Sequence, residues 1–201
     1  MAQVFDWPAR WWRMASFSMR VVPNTRAFTN PYSAQSDVVD LLGEYWQIEM
    51  QLPPISDEGQ GAELEAFFDG LRGPVNLVRL WHLRRPTPRG TLRGTPTLRA
   101  DVAQLANVLP LQARPGETVL PGDHLGAGEQ LFRTITGGQA DSAGHLDVTV
   151  EPRTRTALPS TTAVVWDSPS ATFRQPDAGG VPIVWRPGQA DGPAVRWIED
   201  F

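Results

Sequence analysis

Chain-breaking residues limit the fold of this sequence more than any other feature. Among its 201 residues are 19 prolines and 18 glycines, whereas average usage is about 5% proline and about 7% glycine. Both residues are unfavourable inside helices. A helical bundle is therefore excluded, and short strands joined by many turns are expected. The hydrophobic content of 41% is typical of a globular chain that forms one domain or two small ones.

The residue types that are missing exclude several classes of site. No cysteine is present, which excludes disulfides, thiolate zinc sites and cysteine nucleophiles. All 18 basic residues are arginine, so a Schiff-base lysine and a P-loop lysine are excluded as well. No GxSxG or HExxH motif occurs, and His82, His124 and His145 are widely spaced. We therefore predict no enzymatic activity, no cofactor and no metal site.

Neither a membrane nor a nucleic acid is the expected partner. No run of apolar residues approaches the roughly 18 that a membrane helix needs, and the first residues lack the apolar core of a signal peptide. The formal net charge of −4 argues against a dedicated nucleic-acid binder. We expect a protein that is made in the cytoplasm and binds no membrane.

Charge is segregated along the chain. Residues 27–71, the acidic block, hold nine carboxylates and no arginine, whereas residues 72–100, the basic block, hold seven arginines and no carboxylate. Two interpretations remain open. The blocks may neutralise each other within one fold, or the acidic surface of one copy faces the basic surface of the next, a head-to-tail contact that can close into a ring.

Hydrophobic periodicity predicts one helix among strands. Alternation in residues 44–52 predicts a strand, and the spacing of Leu64, Phe67, Phe68 and Leu71 predicts a helix at about 60–72 that ends at Gly73-Pro74. A loop is expected at 27–43. Further strands are predicted at 15–22, 75–83, 117–120, 129–136, 145–151, 162–167 and 171–174.

This order predicts a mainly β (α+β) fold, in which an antiparallel β-sandwich or barrel with one flanking helix is joined to a second small β domain. We predict four segments. They are a first β domain at 1–83, an arm or linker rich in arginine, proline and glycine at 84–99, a small β-barrel domain at 100–174, and a C-terminal extension at 175–201 that can pack back on the first domain.

Two stretches of the sequence carry a recognisable series of motifs. Residues 28–94 open with Phe-Thr-Asn-Pro and continue with a Trp-centred strand closed by Pro-Pro, a helix ending Phe-Phe-Asp-Gly-Leu-Arg-Gly, and Pro-Arg-Gly-Thr. Residues 119–174 contain a Pro-Gly-Asp turn, an Asp-Ser-Ala-Gly turn and a Val-Thr-Val strand followed by Glu-Pro-Arg. The series resembles tail-tip proteins of long-tailed, siphovirus-like bacteriophages, in particular the distal tail protein.

The resemblance implies a tail-tube type of β-sandwich or barrel that assembles into a homo-oligomeric ring, a hexamer, in the virion. Such a ring joins the tail tube to the hub at the tail tip and surrounds the DNA channel. The implied partners are further copies of the chain, the tail-tube protein, the hub and the tape-measure protein. DNA passes through the channel without specific binding.

Two sets of site residues follow from this resemblance. The arm at 84–99 would reach a neighbouring subunit through arginines that contact carboxylates, with a tryptophan at its base. The predicted subunit interface is Trp81, Arg84, Arg85, Arg89 and Arg93. A channel that must not retain DNA is neutral or acidic inside, and the predicted lining is Asp37, Asp40, Glu44 and Glu49.

Two alternatives belong to other classes. One is a carbohydrate-binding module at the tail tip that contacts the host surface through residues 100–174, with aromatic contacts such as Phe132 and Trp166. The other is a cell-wall hydrolase, which no motif in the sequence supports. Arginines near Trp81 and His82 are also compatible with a nucleic-acid surface, but the acidic block would repel a polyanion.

Overall fold

The computed structural model describes residues 2–29, 32–33 and 36–201. In these segments the chain is mainly β, with a single α-helix, α1 (Glu58–Leu71), and a short 3-10 helix at Ala9–Trp12. The strands are β1 (Val4–Asp6), β2 (Ser16–Val22), β3 (Thr25–Thr29), β4 (Ser36–Asp40), β5 (Tyr45–Gln51), β6 (Leu77–Trp81), β7 (Thr97–Leu98), β8 (Val108–Gln112), β9 (Thr118–Val119), β10 (His124–Ala127), β11 (Gln130–Thr134), β12 (Gly138–Gln139), β13 (His145–Glu151), β14 (Val164–Val165), β15 (Ser170–Arg174), β16 (Trp185–Arg186), β17 (Gln189–Ala190) and β18 (Ala194–Glu199). The predicted fold class is confirmed.

The chain forms two compact units, and each is built from separate segments. The first unit comprises Met1–Arg20, Trp46–Pro86 and Ser168–Phe201, and the second comprises Val21–Tyr45 and Thr87–Asp167. These boundaries differ from the predicted segments because strands that are distant in sequence pair with one another. The predicted C-terminal extension, for example, supplies β18 to the first sheet.

A six-stranded sheet in the order β1-β6-β15-β18-β5-β2 forms the first unit. The pair β1–β6 is parallel, whereas β6–β15, β15–β18 and β18–β5 are antiparallel. Trp46, Ile48 and Met50 are buried on one face of β5, and Glu49 lies on the opposite, polar face. Trp197 is opposite Ile48 in the register and is fully buried, so it shares the apolar face.

Helix α1 is held to this unit by aromatic packing. Asp57 caps its first turn by accepting hydrogen bonds from the backbone N–H groups of Gly59 and Gln60, which explains why the helix starts two residues before the predicted position. Phe67 contacts Trp7 edge to face, with ring centroids 5.6 Å apart, and Trp7 contacts Trp197 in the same way at 6.2 Å. These contacts extend the apolar core from the sheet to the helix.

The second unit contains a six-stranded sheet in the order β14-β10-β11-β13-β8-β7. A bridge between Thr97 and Ala163 joins its two ends, so the sheet is a nearly closed barrel. Its interior is filled by aliphatic side chains and one phenylalanine, which include Leu98, Leu109, Leu111, Leu125, Phe132, Val148 and Val150.

The predicted arm at 84–99 contributes to this second core. The sequence suggested little to bury there, yet Leu92 and Leu98 are 0% and 1% exposed. The backbone N–H of Leu92 donates to the Thr118 carbonyl at 3.1 Å. Most of the segment therefore packs against the barrel, with its arginine side chains pointing outward and its leucines inward.

Candidate interaction surface

A β-hairpin in the second unit is exposed along both of its strands. Its strands β3 and β4 pair antiparallel, with Phe28 opposite Asp37 and Arg26 opposite Val39. Every residue of both strands is solvent-exposed, and the two strands form a sheet of their own. Part of the loop expected at 27–43, residues 27–29 and 36–40, therefore belongs to a two-stranded ribbon, which we call the hairpin (residues 25–29 and 36–40).

The hairpin exposes large apolar side chains on both faces. Phe28 and Val39 lie on one face and Val38 lies on the other, and they are 59%, 43% and 67% exposed. A two-stranded ribbon is marginally stable in water by itself, and adjoining exposed apolar side chains mark interaction sites. The hairpin is the strongest candidate in the described part of the chain for a surface that another molecule covers.

The exit of the hairpin is fixed by Arg153, which follows β13. Its guanidinium Nη1 lies 2.9 Å from Asp40 Oδ2 and 3.5 Å from Glu44 Oε1. Arg155 Nη2 donates to the Glu44 carbonyl at 3.0 Å. The structure therefore brings two of the predicted lining residues, Asp40 and Glu44, to one arginine, and their place in a channel lining stays a prediction.

Local hydrogen bonds and charges shift three pKa values at this exit. The backbone N–H of Leu42 and the Arg153 guanidinium hold the pKa of Asp40 below its ordinary value. The hydrogen bond to Asp40 raises the pKa of Arg153. Burial raises the pKa of Glu151, and the nearby Glu44 carboxylate raises it further. Arg153 thus stays charged beside Asp40, and Glu151 takes up a proton more readily than an ordinary glutamate does.

The other two predicted lining residues lie apart. Asp37 is exposed in the middle of β4. Glu49 lies in the first unit, on the polar face of its sheet, where its Oε1 is 3.5 Å from Arg20 Nη2 and accepts a hydrogen bond from Gln47 Nε2 at 2.5 Å. The four predicted residues therefore form no single acidic surface within either unit.

Three of the predicted interface residues lie in the first unit. Trp81 is half-buried at the end of β6. Arg84 Nη2 donates to the Met14 carbonyl at 2.8 Å, and Arg85 Nη2 lies 3.3 Å from His82 Nε2. Arg84 and Arg85 are both solvent-exposed, so they remain accessible to a partner, and their role in assembly stays a prediction.

Arg89 and Arg93 lie in the second unit and contact their own chain. Arg89 Nη2 donates to the Pro121 carbonyl. Arg93 Nη1 donates to the carbonyls of Gly90 and Leu92 at 3.1 and 2.6 Å. Their guanidinium groups hold the irregular backbone of the segment in place, and their predicted contacts with another subunit stay a prediction.

A buried carboxylate joins the two motifs on which the resemblance rests. Asp123 of Pro-Gly-Asp is 3% exposed. Its oxygens accept hydrogen bonds from the backbone N–H groups of Arg89, Gly90 and Leu120 at 2.9, 3.1 and 2.8 Å. Pro-Arg-Gly-Thr and Pro-Gly-Asp thus form one structural unit, in which Asp123 supplies acceptors that the irregular backbone lacks.

The ion pairs of the two charge blocks run to other parts of the chain. In the acidic block, Glu63 and Glu49 pair with arginines near the N-terminus, Arg10 and Arg20. In the basic block, arginines pair with acids outside residues 27–71, as in Arg79–Asp6, Arg89–Asp123 and Arg99–Asp147. None of these five pairs joins a carboxylate of the acidic block to an arginine of the basic block.

The aromatic residues named for glycan binding are not available as a platform. Phe132 is fully buried in the barrel. The Trp166 indole Nε1 donates to the Gly94 carbonyl at 2.9 Å, and the Arg93 guanidinium lies 4.9 Å from the centre of its ring. A sugar would have to displace Arg93 before it could stack on Trp166, so this form of the alternative is not supported.

A shallow cavity of about 410 Å³ lies in the first unit. Its lining includes Ser16, Ser18, Glu49, Gln51, Asp177 and Arg196. Glu49 is paired with Arg20, and Arg196 Nη2 donates to Gln47 Oε1 at 3.2 Å. Two of its charged groups are thus already bonded within the sheet, which makes it a weaker candidate than the hairpin.

Across the described segments, no three histidine, aspartate or glutamate side chains are grouped so that they could hold a metal ion. None of the helices there has both the length and the apolar character needed to cross a bilayer.

The candidate residues that the sequence interpretation missed are Phe28, Val38 and Val39 of the hairpin, together with Arg153. The available signal was the β-branched pair Val38-Val39, which favours a strand. Comparison with known proteins adds no identification, because no protein-family model and no curated protein matches the chain.

Proposed function

We propose that this chain is a structural protein of a bacteriophage tail tip. Copies of it form a homo-oligomeric ring, a hexamer, that joins the tail tube to the hub and surrounds the DNA channel. The observation that carries the assembly role is the hairpin, since its exposed apolar side chains Phe28, Val38 and Val39 favour contact with a partner. The resemblance of residues 28–94 and 119–174 to tail-tip proteins is the reason for proposing that this assembly belongs to the virion.

The partner that we propose for the hairpin is a second copy of the chain. In the first sheet, β2 stands at one end of the strand order, and it is seven residues long with Arg20 as its charged residue. Such an edge presents backbone donors and acceptors that pair readily with an added strand. Each copy therefore supplies both a ribbon and a sheet edge, an unlike pair of surfaces that favours head-to-tail contact.

Electron microscopy of virions labelled at this protein tests the location. We expect the label at the tail tip of intact particles. A label on the capsid, or particles that lack the protein, would overturn the proposal.

A double substitution tests the hairpin. Phe28→Ser with Val38→Ser removes apolar contact from both faces, and because both side chains lie in solvent in the single chain, the thermal midpoint should change little. We expect the variant to fail to complement a phage that lacks the gene. Val165→Ser, which alters a valine that is 48% exposed in β14, is the matched control and should complement. Normal plating with the double variant would contradict the role of the hairpin.

A further inference from the structure

The hairpin leaves the barrel through a short segment with several hydrogen bonds. The Leu41 N–H donates to the Asn24 carbonyl at 2.8 Å, and Asn24 Nδ2 donates to the Leu42 carbonyl at 2.8 Å. Leu42 and Gly43 both adopt left-handed backbone conformations, with φ of 61° and 78°. These bonds join the two chain segments at the base of the ribbon, but they do not tie the ribbon to the barrel.

Arg153 makes a direct side-chain contact between the barrel and the ribbon. Its guanidinium bonds to Asp40 Oδ2 on the last residue of β4, and it also lies close to the Glu44 carboxylate beyond the turn. The side chains of Arg153, Glu44 and Asp40 are 26%, 10% and 42% exposed, so water screens the contact with Glu44 less than it screens an ordinary surface ion pair. The Arg153 guanidinium therefore contacts the chain on both sides of the left-handed turn at Leu42 and Gly43.

We propose that Arg153 is a positioning residue that fixes the direction in which the hairpin leaves the barrel. This inference rests on the proposed function. Both strands of the ribbon are exposed, and a ribbon that could swing would lose conformational entropy when it docks on the next copy. By holding the hairpin in one direction before contact, Arg153 reduces that loss and strengthens assembly.

The absence of cysteine from the sequence allows a direct test in the full chain. Cysteines introduced by Val38→Cys on the hairpin and Val108→Cys on β8 carry spin labels, and pulsed electron resonance measures the distribution of distances between them. The labelled chain is diluted into unlabelled chain, so that only distances within one copy contribute. We expect a narrow distribution for the otherwise unchanged chain.

Arg153→Gln should broaden that distribution, whereas Arg99→Gln should not. Arg99 is the matched control because it forms an ion pair with Asp147 at 2.8 Å elsewhere in the second unit. Asp40→Asn removes the same contact from the hairpin side and should broaden the distribution in the same way, which keeps the test valid if Arg153→Gln fails to fold. Equal widths for all the folded variants would overturn the inference.

Assembly supplies a second readout. If the chain forms rings, the concentration at half-assembly should rise by about threefold to tenfold in Arg153→Gln, because ordering a loose segment weakens binding by about that factor. It should be unchanged in Arg99→Gln. Rings that form equally well with Arg153→Gln would overturn the positioning role alone. A wild-type chain with a narrow distance distribution that is absent from virions would instead overturn the proposed function.

Discussion

At the residue scale, Asp123 is a buried side chain that holds two separate backbone segments of the second unit together. It is buried, and its two oxygens serve three backbone N–H groups. In Asp123→Asn, one oxygen becomes an NH₂ donor that faces the N–H groups of Gly90 and Leu120. We expect the free energy of unfolding to fall by about 2–4 kcal/mol, since buried donors are left without an acceptor.

Denaturant unfolding followed by circular dichroism measures this loss. Asp147→Asn is the control, because Asp147 is exposed and its ion pair with Arg99 is of the kind that contributes little to stability. A loss for Asp123→Asn no larger than the loss for Asp147→Asn would show that the joint between the two motifs does not hold the fold.

Glu151 makes stability depend on pH in an unusual direction. Its pKa is raised in the folded chain, chiefly by burial and then by Glu44, so folding favours the protonated form. Its contribution to stability is therefore fully present below the ordinary glutamate pKa of about 4.3 and is lost as the pH rises through the raised value. Asp40, with a lowered pKa, acts in the opposite sense and contributes above its ordinary value.

Glu151→Gln should accordingly have a higher thermal midpoint than the wild type at pH 7. The difference should disappear once the pH falls below about 4. Thermal unfolding across this range checks the prediction, with Glu129→Gln, an exposed glutamate of the same unit, as the control. A lower midpoint for Glu151→Gln at pH 7 would mean that its attraction to Arg153 outweighs its burial.

At the scale of elements, helix α1 allows a comparison between two neighbouring aromatic residues. Phe68 is 3% exposed, whereas Phe67 is partly exposed and makes edge contacts with Phe5 and Trp7. Phe68→Ala should lower the free energy of unfolding by about 3–5 kcal/mol, because it leaves a cavity that the core does not refill. Phe67→Ala should cost less, since part of its ring already lies in water.

Unfolding by denaturant distinguishes the two phenylalanines. The order of the two losses is the prediction, and a larger loss for Phe67→Ala would show that its contacts with Phe5 and Trp7 hold the helix more firmly than the buried ring does.

The same helix shows what the sequence could predict at this scale. Helix α1 and strand β5 were predictable because each buries one face, which imposes a helical or alternating pattern of apolar residues. The hairpin was not, because neither of its faces is buried and no alternation results. Leu92 and Leu98 were missed for another reason. Leu92 lies on irregular backbone and Leu98 in the two-residue strand β7, and neither is long or regular enough to show a period of apolar residues.

Of the candidate site, the sequence could predict only two of the charged residues, Asp40 and Glu44. Asp40 and Glu44 were identified as carboxylates without arginines nearby in sequence, yet Arg153 lies 113 residues from Asp40. Such a long-range pair depends on where β13 lies in the barrel. The periodicity of nearby residues does not reveal which distant segments come into contact. The apolar side chains of the hairpin likewise could not be predicted to be exposed from the sequence, because only the fold shows that their two-stranded sheet leaves them uncovered.

At the scale of the whole molecule, the structure changes the interpretation of the acidic and basic blocks. Ion pairs such as Arg10–Glu63 and Arg99–Asp147 connect each block to other parts of the chain. Several basic-block arginines donate to backbone carbonyls and remain exposed at the surface. Within the proposed ring, electrostatic attraction would therefore orient two copies as they meet, while the apolar hairpin would supply most of the contact energy.

Reversing the charge of Arg84 and Arg85 separates the electrostatic contribution to assembly from the apolar one. Arg84→Glu with Arg85→Glu reverses two adjacent exposed charges in the first unit. We expect the single chain to stay folded, because both side chains are exposed and neither belongs to the core, although Arg84 loses its bond to the Met14 carbonyl and Arg85 its contact with His82. Assembly should nevertheless fail, since a carboxylate from the next copy would then face two like charges.

Complementation of a phage that lacks the gene measures assembly, and thermal unfolding measures the fold. Arg13→Glu with Arg186→Glu applies the same change of charge at two exposed arginines outside residues 72–100 and should complement. Normal virions with the reversed Arg84 and Arg85 would remove the basic block from the interface. The hairpin would then remain as the sole contact for which the structure offers a reason, because apolar burial persists when charge steering is lost.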